Sequence, residues 1–233
     1  MFKRIALIAL AVAAPLAQAA PFTRLTLPSL NIDIRTFTDG ATYNPLFPGT
    51  PTFNGVPFQF SVDASGNTAF QNDMLGNPTS GLLDIPVGVF GVTHAYTIIN
   101  SSFGAFGANN GSVSFIGSVD TFTVDLIQGT NIRDHFDGGF NNTIDGVNAV
   151  PAFNVGTGRA RLDEQIFNLP AAFGSQTLDT IRFTSLDLGG GGRPFLVAAT
   201  VDVGIAAAVP EPETYALMLA GLGVLGWMRR RRA

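Results

Sequence analysis

Short runs of alternating apolar and polar residues recur along the middle of the chain. Residues 32–35, 56–62, 122–126 and 181–184 follow a period of two, which is typical of strands with one buried face. Residues 92–99, 112–116, 160–169 and 195–203 are further strand candidates, and pairs such as Asn54-Gly55 between them indicate turns. Eight to ten short strands without a helical period predict an all-β fold: one antiparallel β-sandwich, jelly-roll-like.

The amino-terminal residues have a different pattern. Lys3 and Arg4 precede an apolar run over residues 5–14, and Ala17 and Ala19 are small residues at the two positions that a signal peptidase reads. We therefore expect residues 1–19 to be a cleavable signal helix, removed by signal peptidase after Ala19.

The carboxyl-terminal residues 209–233 combine three features in a fixed order. Pro210, Glu211 and Pro212 come first, an apolar stretch over residues 215–228 follows, and Arg229, Arg230, Arg231 and Arg232 come last. Fourteen helical residues span roughly 21 Å, so we expect a short transmembrane helix. By the positive-inside rule the arginines hold their end in the cytoplasm, which leaves the preceding domain on the far side of the membrane.

This order resembles the PEP-CTERM sorting signal of Gram-negative bacteria. The resemblance implies that an exosortase, an integral-membrane cysteine transpeptidase, recognises Pro210, Glu211 and Pro212 as the sorting motif. It implies that Arg229 to Arg232 are membrane retention charges of a transient membrane anchor. The implied destination is the cell surface or the extracellular matrix of bacteria that make exopolysaccharide and biofilm, after export across the inner membrane.

Composition narrows what the domain at residues 20–208 can do. It has seven arginines and no lysine against fourteen aspartates and Glu164, a net charge of −8, and the chain has no cysteine. A basic footprint for nucleic acid is absent, so we expect no nucleic-acid partner. Lysine-based phosphate binding, thiolate metal sites and cysteine nucleophiles are excluded by residue type.

Candidate chemistry in this domain is sparse. His94 and His135 are the only histidines, no G-x-S-x-G motif occurs, and Glu164 is the only glutamate. We therefore predict no catalytic residue, no enzyme activity and no required cofactor. Asp134, Asp137 and Asp145 crowd a segment with two asparagines and form a candidate calcium site, with a turn that binds no ion as the alternative.

Three functions remain compatible with these observations. The first is a structural or adhesive role in an exopolysaccharide or biofilm matrix. The second is a carbohydrate-binding module for exopolysaccharide, with Arg133, Arg159 and Arg161 as possible donors. The third is a secreted carboxylate-dependent hydrolase whose site the sequence does not locate, and Glu164→Gln is the substitution that tests it. Residues 83–87, 94–100 and 131–135 also resemble segments of galactose-binding-like β-sandwich modules, and no ligand residue is transferred from that resemblance.

Overall fold

Two antiparallel sheets pack face to face in the computed structural model, which describes residues 22–72 and 81–204. The predicted signal helix at residues 1–19 and the predicted sorting segment at residues 209–233, with its transmembrane helix, lie outside these residues. Within the described ranges, no helix has the length and apolar character needed to cross a membrane.

Twelve strands are present among the described residues. In chain order they are β1 (Phe22–Leu25), β2 (Thr52–Phe53), β3 (Val56–Pro57), β4 (Phe70–Gln71), β5 (Gly81–Phe90), β6 (Val92–Ser102), β7 (Asn109–Gly117), β8 (Thr121–Ile127), β9 (Ala149–Asn154), β10 (Arg161–Asn168), β11 (Thr177–Ser185) and β12 (Arg193–Val203). Short 3-10 helices occupy Ile34–Thr36, Gly40–Leu46, Ala171–Ser175 and Gly189–Gly191.

The chain crosses repeatedly between the two sheets. One sheet has the order β5-β11-β7-β8, and the other has the order β1-β12-β6-β10-β9 with β4 also paired to β12. Apolar side chains from both sheets, including Phe115, Ile181, Phe183 and Leu196, meet in the core between them. The predicted all-β antiparallel sandwich is confirmed.

A second layer covers the other face of the six-stranded sheet. Residues 32–62, which we call the covering layer, contain two 3-10 helices and the β2–β3 hairpin. Phe58, Phe60 and Tyr43 from this layer are fully buried against Ile98 and Phe195 of the sheet. The six-stranded sheet therefore packs apolar side chains on both of its faces, as is typical of a sheet with both faces covered.

The outer face of the four-stranded sheet, which we call the polar grid, has a different character. Alternate residues of its strands point away from the core and align in three cross-strand rows. The rows are Leu82-Thr184-Ser112-Asp125, Asp84-Arg182-Ser114-Thr123 and Pro86-Thr180-Ile116-Thr121. Six of these twelve side chains are serine or threonine, so this face presents hydroxyl groups to solvent.

Two predicted strands differ from the structure, and both lie in the covering layer: one is replaced by a turn and a 3-10 helix, and the other is shorter than predicted. Residues 32–35 form a turn into the 3-10 helix Ile34–Thr36, because the Asp33 carboxylate accepts hydrogen bonds from the main-chain and side-chain nitrogens of Arg35. Residues 56–62 alternate as predicted, but only Val56–Pro57 pairs as a strand. Phe58 and Phe60 instead bond to the carbonyls of Pro51 and Gly49.

Candidate binding cleft

A cleft of about 500 Å³ opens where the covering layer meets one end of the six-stranded sheet. We call it the aromatic cleft. Four phenylalanines line it, together with polar residues from five separate parts of the chain. The lining residues are Thr36, Phe37, Thr38, Gln71, Ser102, Phe103, Asp134, His135, Phe136, Gly138, Gly139, Phe140 and Arg193.

The floor of the cleft is a segment that runs between the ends of β6 and β10. The Ser101 N–H donates to the Arg133 carbonyl and the His135 N–H donates to the Ser101 carbonyl, each at 2.9 Å. On the other side, the Arg161 N–H donates to the His135 carbonyl at 2.7 Å. The main chain around Asp134 is thus fixed from two strands.

A buried ion pair anchors this segment to the sheet. The Arg133 guanidinium donates to both carboxylate oxygens of Asp163, from Nε at 2.8 Å and from Nη2 at 2.6 Å. The Asn100 amide nitrogen donates a third hydrogen bond to Asp163 at 2.8 Å. Since the carboxylate is fully buried, these three donors replace its lost hydration.

A second arginine fixes the following loop. Arg161 donates from Nε to the Asp134 carbonyl at 3.1 Å and from Nη2 to Asn142 Oδ1 at 3.0 Å. Its Nη1 lies 3.2 Å from Asp137 Oδ1. The two arginines therefore stabilise the loop that lines the cleft, and their donor groups are already engaged by the protein.

Two phenylalanine rings form the exposed rim. Phe103 is 39% exposed and Phe140 is 43% exposed, and their rings meet edge to face at 5.0 Å. The Arg193 guanidinium carbon lies 5.4 Å from the centre of the Phe103 ring. Phe103 has φ +68°, a left-handed conformation that is rare for a bulky residue. Residues in such strained conformations cluster at active sites and ligand-binding sites.

His135 forms part of the inner wall. Its Nδ1 lies 3.3 Å from the Tyr43 hydroxyl, which donates to the Arg161 carbonyl at 2.9 Å. Burial lowers the pKa of His135 to about 4, and the nearby Arg161 charge acts in the same direction. The imidazole is therefore neutral at physiological pH and serves as a packed polar group.

Asp134 is the buried acid of the cleft. Its carboxylate accepts a hydrogen bond from the Phe136 N–H at 3.2 Å. Burial raises the pKa of this carboxyl above its ordinary value, and the nearby main-chain N–H groups and the Arg161 charge oppose the shift without cancelling it.

The three aspartates of the candidate calcium site do not converge. Asp137 pairs with Arg161, and Asp145 accepts hydrogen bonds from the main-chain N–H groups of Val147, Asn148 and Ala149 at 2.9–3.0 Å. No group of three or more histidines, aspartates or glutamates in residues 22–72 and 81–204 is arranged to hold a metal ion. The alternative of an Asx-rich turn accounts for Asp145.

Other predicted residues lie away from the cleft lining. Arg159 is exposed and donates to Asp39 at 2.8 Å. Glu164 is buried on β10, where the Asn54 amide at the tip of the β2–β3 hairpin donates to it at 2.8 Å. Burial raises the pKa of the Glu164 carboxyl. His94 lies 3.0 Å from Asp202 at the opposite end of β6.

Sequence reasoning missed the residues that shape the opening. Phe103, Phe140, Arg193 and Gln71 were not among the predicted site residues, because they come together only through sheet pairing and loop packing. One signal was available in the sequence. Phe103 and Phe140 are each followed or preceded by glycines or asparagines, and large apolar residues in such polar loops are candidates for an exposed binding surface.

Comparison with known proteins indicates how the chain is sorted in the cell. The family model described as the PEP-CTERM protein-sorting motif matches residues 208–232. This match confirms the predicted PEP-CTERM sorting motif, and the motif supports an exported protein that is sorted to the cell surface and processed by an exosortase. No curated protein matches the chain. The resemblance to galactose-binding-like modules is not confirmed.

Proposed function

We propose that the exported domain acts without catalysis as an adhesive component of the extracellular matrix, and that the aromatic cleft is its point of attachment. Matrix polymer is the partner at this site, and the sorting motif delivers the domain to the compartment where that polymer lies.

One observation carries this proposal. Phe103 and Phe140 remain exposed at the rim although large apolar side chains are costly to leave in water, and charged and amide groups surround them. Clefts of this size with apolar walls and a few fixed polar groups are typical of ligand sites. The Arg133–Asp163 pair and Arg161 hold the loop rigid, so binding requires little additional ordering.

A co-sedimentation experiment tests attachment. The full chain is expressed in a host that processes the tail, and its retention on isolated extracellular polymer is measured. Phe140→Ser removes one rim ring at an exposed position, and Phe90→Ser removes an exposed ring from β5 as a matched control. We expect retention to fall several-fold for Phe140→Ser only. Equal retention of both variants would contradict attachment through the cleft.

The sorting step has its own test. Replacement of Pro210, Glu211 and Pro212 by alanine removes the two prolines of the motif, and proline disfavours helix and sheet because it fixes φ and lacks an N–H. We expect the variant to stay in the membrane fraction at its uncleaved mass, as measured by fractionation and intact-mass spectrometry. Release into the medium at the wild-type level would count against sorting by this motif.

A dedicated carbohydrate-binding module for exopolysaccharide is the second candidate. It is favoured by the combination of phenyl rings, Asp134 and Gln71 around one opening, since sugar rings pack their C–H faces on aromatic rings and donate hydroxyl protons to carboxylates. Specific binding of a defined oligosaccharide distinguishes it from general adhesion. Polymer turnover that is lost in Glu164→Gln would instead favour a hydrolase.

A further inference from the structure

The charges around the aromatic cleft are matched in pairs with one exception. Each of the three arginines at or beneath the cleft lies beside its own carboxylate: Arg133 with Asp163 at 2.6 Å, Arg161 with Asp137 at 3.2 Å and Arg193 with Asp187 at 3.5 Å. Asp134 is nearly fully buried and lines the opening, and within residues 22–72 and 81–204 its carboxylate forms no ion pair, although the charge of Arg161 acts on it. The cleft therefore contains one negative charge without a matched cation.

Main-chain amides alone do not compensate this charge. The hydrogen bond from the Phe136 N–H and the charge of Arg161 favour the ionised carboxylate, yet burial still raises the Asp134 pKa. A buried carboxylate of this kind is stabilised when a positive charge arrives beside it, because the ion pair forms in a medium of low dielectric constant.

The rings beside Asp134 favour the same kind of ligand. The faces of phenylalanine rings attract cations such as an ammonium group, and aromatic cages are a recurrent way to bind ammonium ligands. The Arg193 guanidinium carbon lies 5.4 Å from the centre of the Phe103 ring, so this ring already contacts a cation, and the charge of Arg193 opposes a second cation at the same ring. The net charge of −8 on the domain also attracts cationic ligands at long range.

We propose that the aromatic cleft binds a ring-shaped ligand carrying a protonated amine, such as an amino-sugar unit of matrix polymer, with the ammonium group between the Asp134 carboxylate and the rings of Phe103 and Phe140. This inference rests on the proposed attachment function and names the ligand chemistry of the same site. A sugar carboxylate or sulfate at this position would face Asp134 and is disfavoured.

Calorimetric titration of the full chain in detergent tests this with three probes of equal length. The glucosamine tetramer carries amines, the N-acetylglucosamine tetramer has the same backbone without charge, and the galacturonate tetramer is anionic. Measurements are made below the pKa of the sugar amine. We expect the amine-bearing tetramer to bind at least about tenfold more tightly than the other two.

Three variants assign the preference to residues. Asp134→Asn keeps the acceptor oxygen and removes the charge, and we expect it to abolish the preference for the amine. Asp84→Asn makes the same change on the polar grid, where Asp84 lies beside Arg182, and should leave the preference intact. Arg193→Gln removes the one cation at the rim and should strengthen binding of the amine-bearing tetramer. Thermal unfolding of each variant verifies that it is folded.

The outcomes separate the ligand chemistry from the proposed function. Equal binding of the amine-bearing and acetylated tetramers overturns the amine preference while leaving attachment through the cleft in place. Tighter binding of galacturonate that is lost in Arg193→Gln overturns the preference and assigns the site to anions. Absence of binding by all three probes overturns it as well, and the co-sedimentation of Phe140→Ser then decides on attachment separately.

Discussion

The two outer faces of the sandwich differ in what lies on them. The polar grid presents short hydroxyl and charged side chains in regular cross-strand rows. The outer face of the six-stranded sheet lies beneath the covering layer and carries a second cluster of buried apolar side chains, with the aromatic cleft at its edge. A covered face gives rigid support to a concave site, whereas a flat solvated face offers no enclosed volume.

The largest effect should follow from removing a ring that joins the covering layer to the sheet. Phe60 is fully buried against the outer core, so Phe60→Ala should lower the free energy of unfolding by about 3–5 kcal/mol. Phe90→Ala removes the same ring from a site that is 64% exposed, and a change below about 0.5 kcal/mol is expected. Denaturant unfolding of both variants makes the comparison, and similar losses would show that the two faces do not differ as described.

The next effect concerns the ion pairs of the two regions. Arg133→Ala leaves the fully buried Asp163 without its cation, and the expected loss is about 3 kcal/mol. Arg182→Ala breaks the exposed pair with Asp84 on the polar grid, and its unfolding midpoint should stay at the wild-type value because exposed pairs contribute little. An unfolding midpoint of Arg133→Ala equal to that of the wild type would contradict the account in which the Arg133–Asp163 ion pair anchors the cleft loop.

A smaller effect is expected from the buried histidine. The folded-state pKa of His135 is about 4, below its ordinary value of 6.5. Between these values the unfolded chain binds more protons, so His135 makes stability fall as pH is lowered through this window, by at most about 3 kcal/mol. The raised pKa values of Asp134 and Glu164 act in the opposite direction.

The difference between the wild type and His135→Gln isolates this contribution, since glutamine does not titrate. The variant should lose less stability than the wild type between pH 6.5 and about 4, as followed by urea unfolding at several pH values. Parallel pH profiles of the two proteins would contradict a buried neutral imidazole.

The smallest effect is expected on the grid itself. The hydroxyls of Ser114 and Thr123 lie 2.9 Å apart on neighbouring strands at the surface. Thr123→Ala should change the free energy of unfolding by less than about 0.5 kcal/mol and should leave polymer retention unchanged. Reduced retention in this variant would move the binding face from the cleft to the grid.

The fold was predictable where one physical pattern dominates. Strands β7, β8 and β11 overlap the predicted runs, and alternation of more buried and more exposed side chains is visible in each of them. Strands β6, β10 and β12 overlap the further candidates and are buried at most consecutive positions, as in a sheet that is covered on both faces. Strand β9 and the strand character of β5 were missed. Pro151 and the glycines Gly81 and Gly88 interrupt their patterns, and only pairing with β10 and β11 makes these segments strands.

The cleft was less predictable because its parts are distant in sequence. Asp134 and Arg133 were singled out for calcium and for carbohydrate, yet the roles of both residues depend on partners that sequence position does not reveal. Asp163 pairs with Arg133 across thirty residues, and Arg193 reaches Phe103 from another strand. The left-handed conformation of Phe103 depends on this packing as well.

The central claim is that the exported domain binds matrix polymer through the aromatic cleft and not through the polar grid. Amide hydrogen exchange of the full chain, with and without isolated matrix polymer, tests it directly. We predict slower exchange on binding at residues 36–38, 102–104 and 134–140, with no change across β7 and β8. Protection confined to the grid strands β5, β7, β8 and β11 would contradict the account.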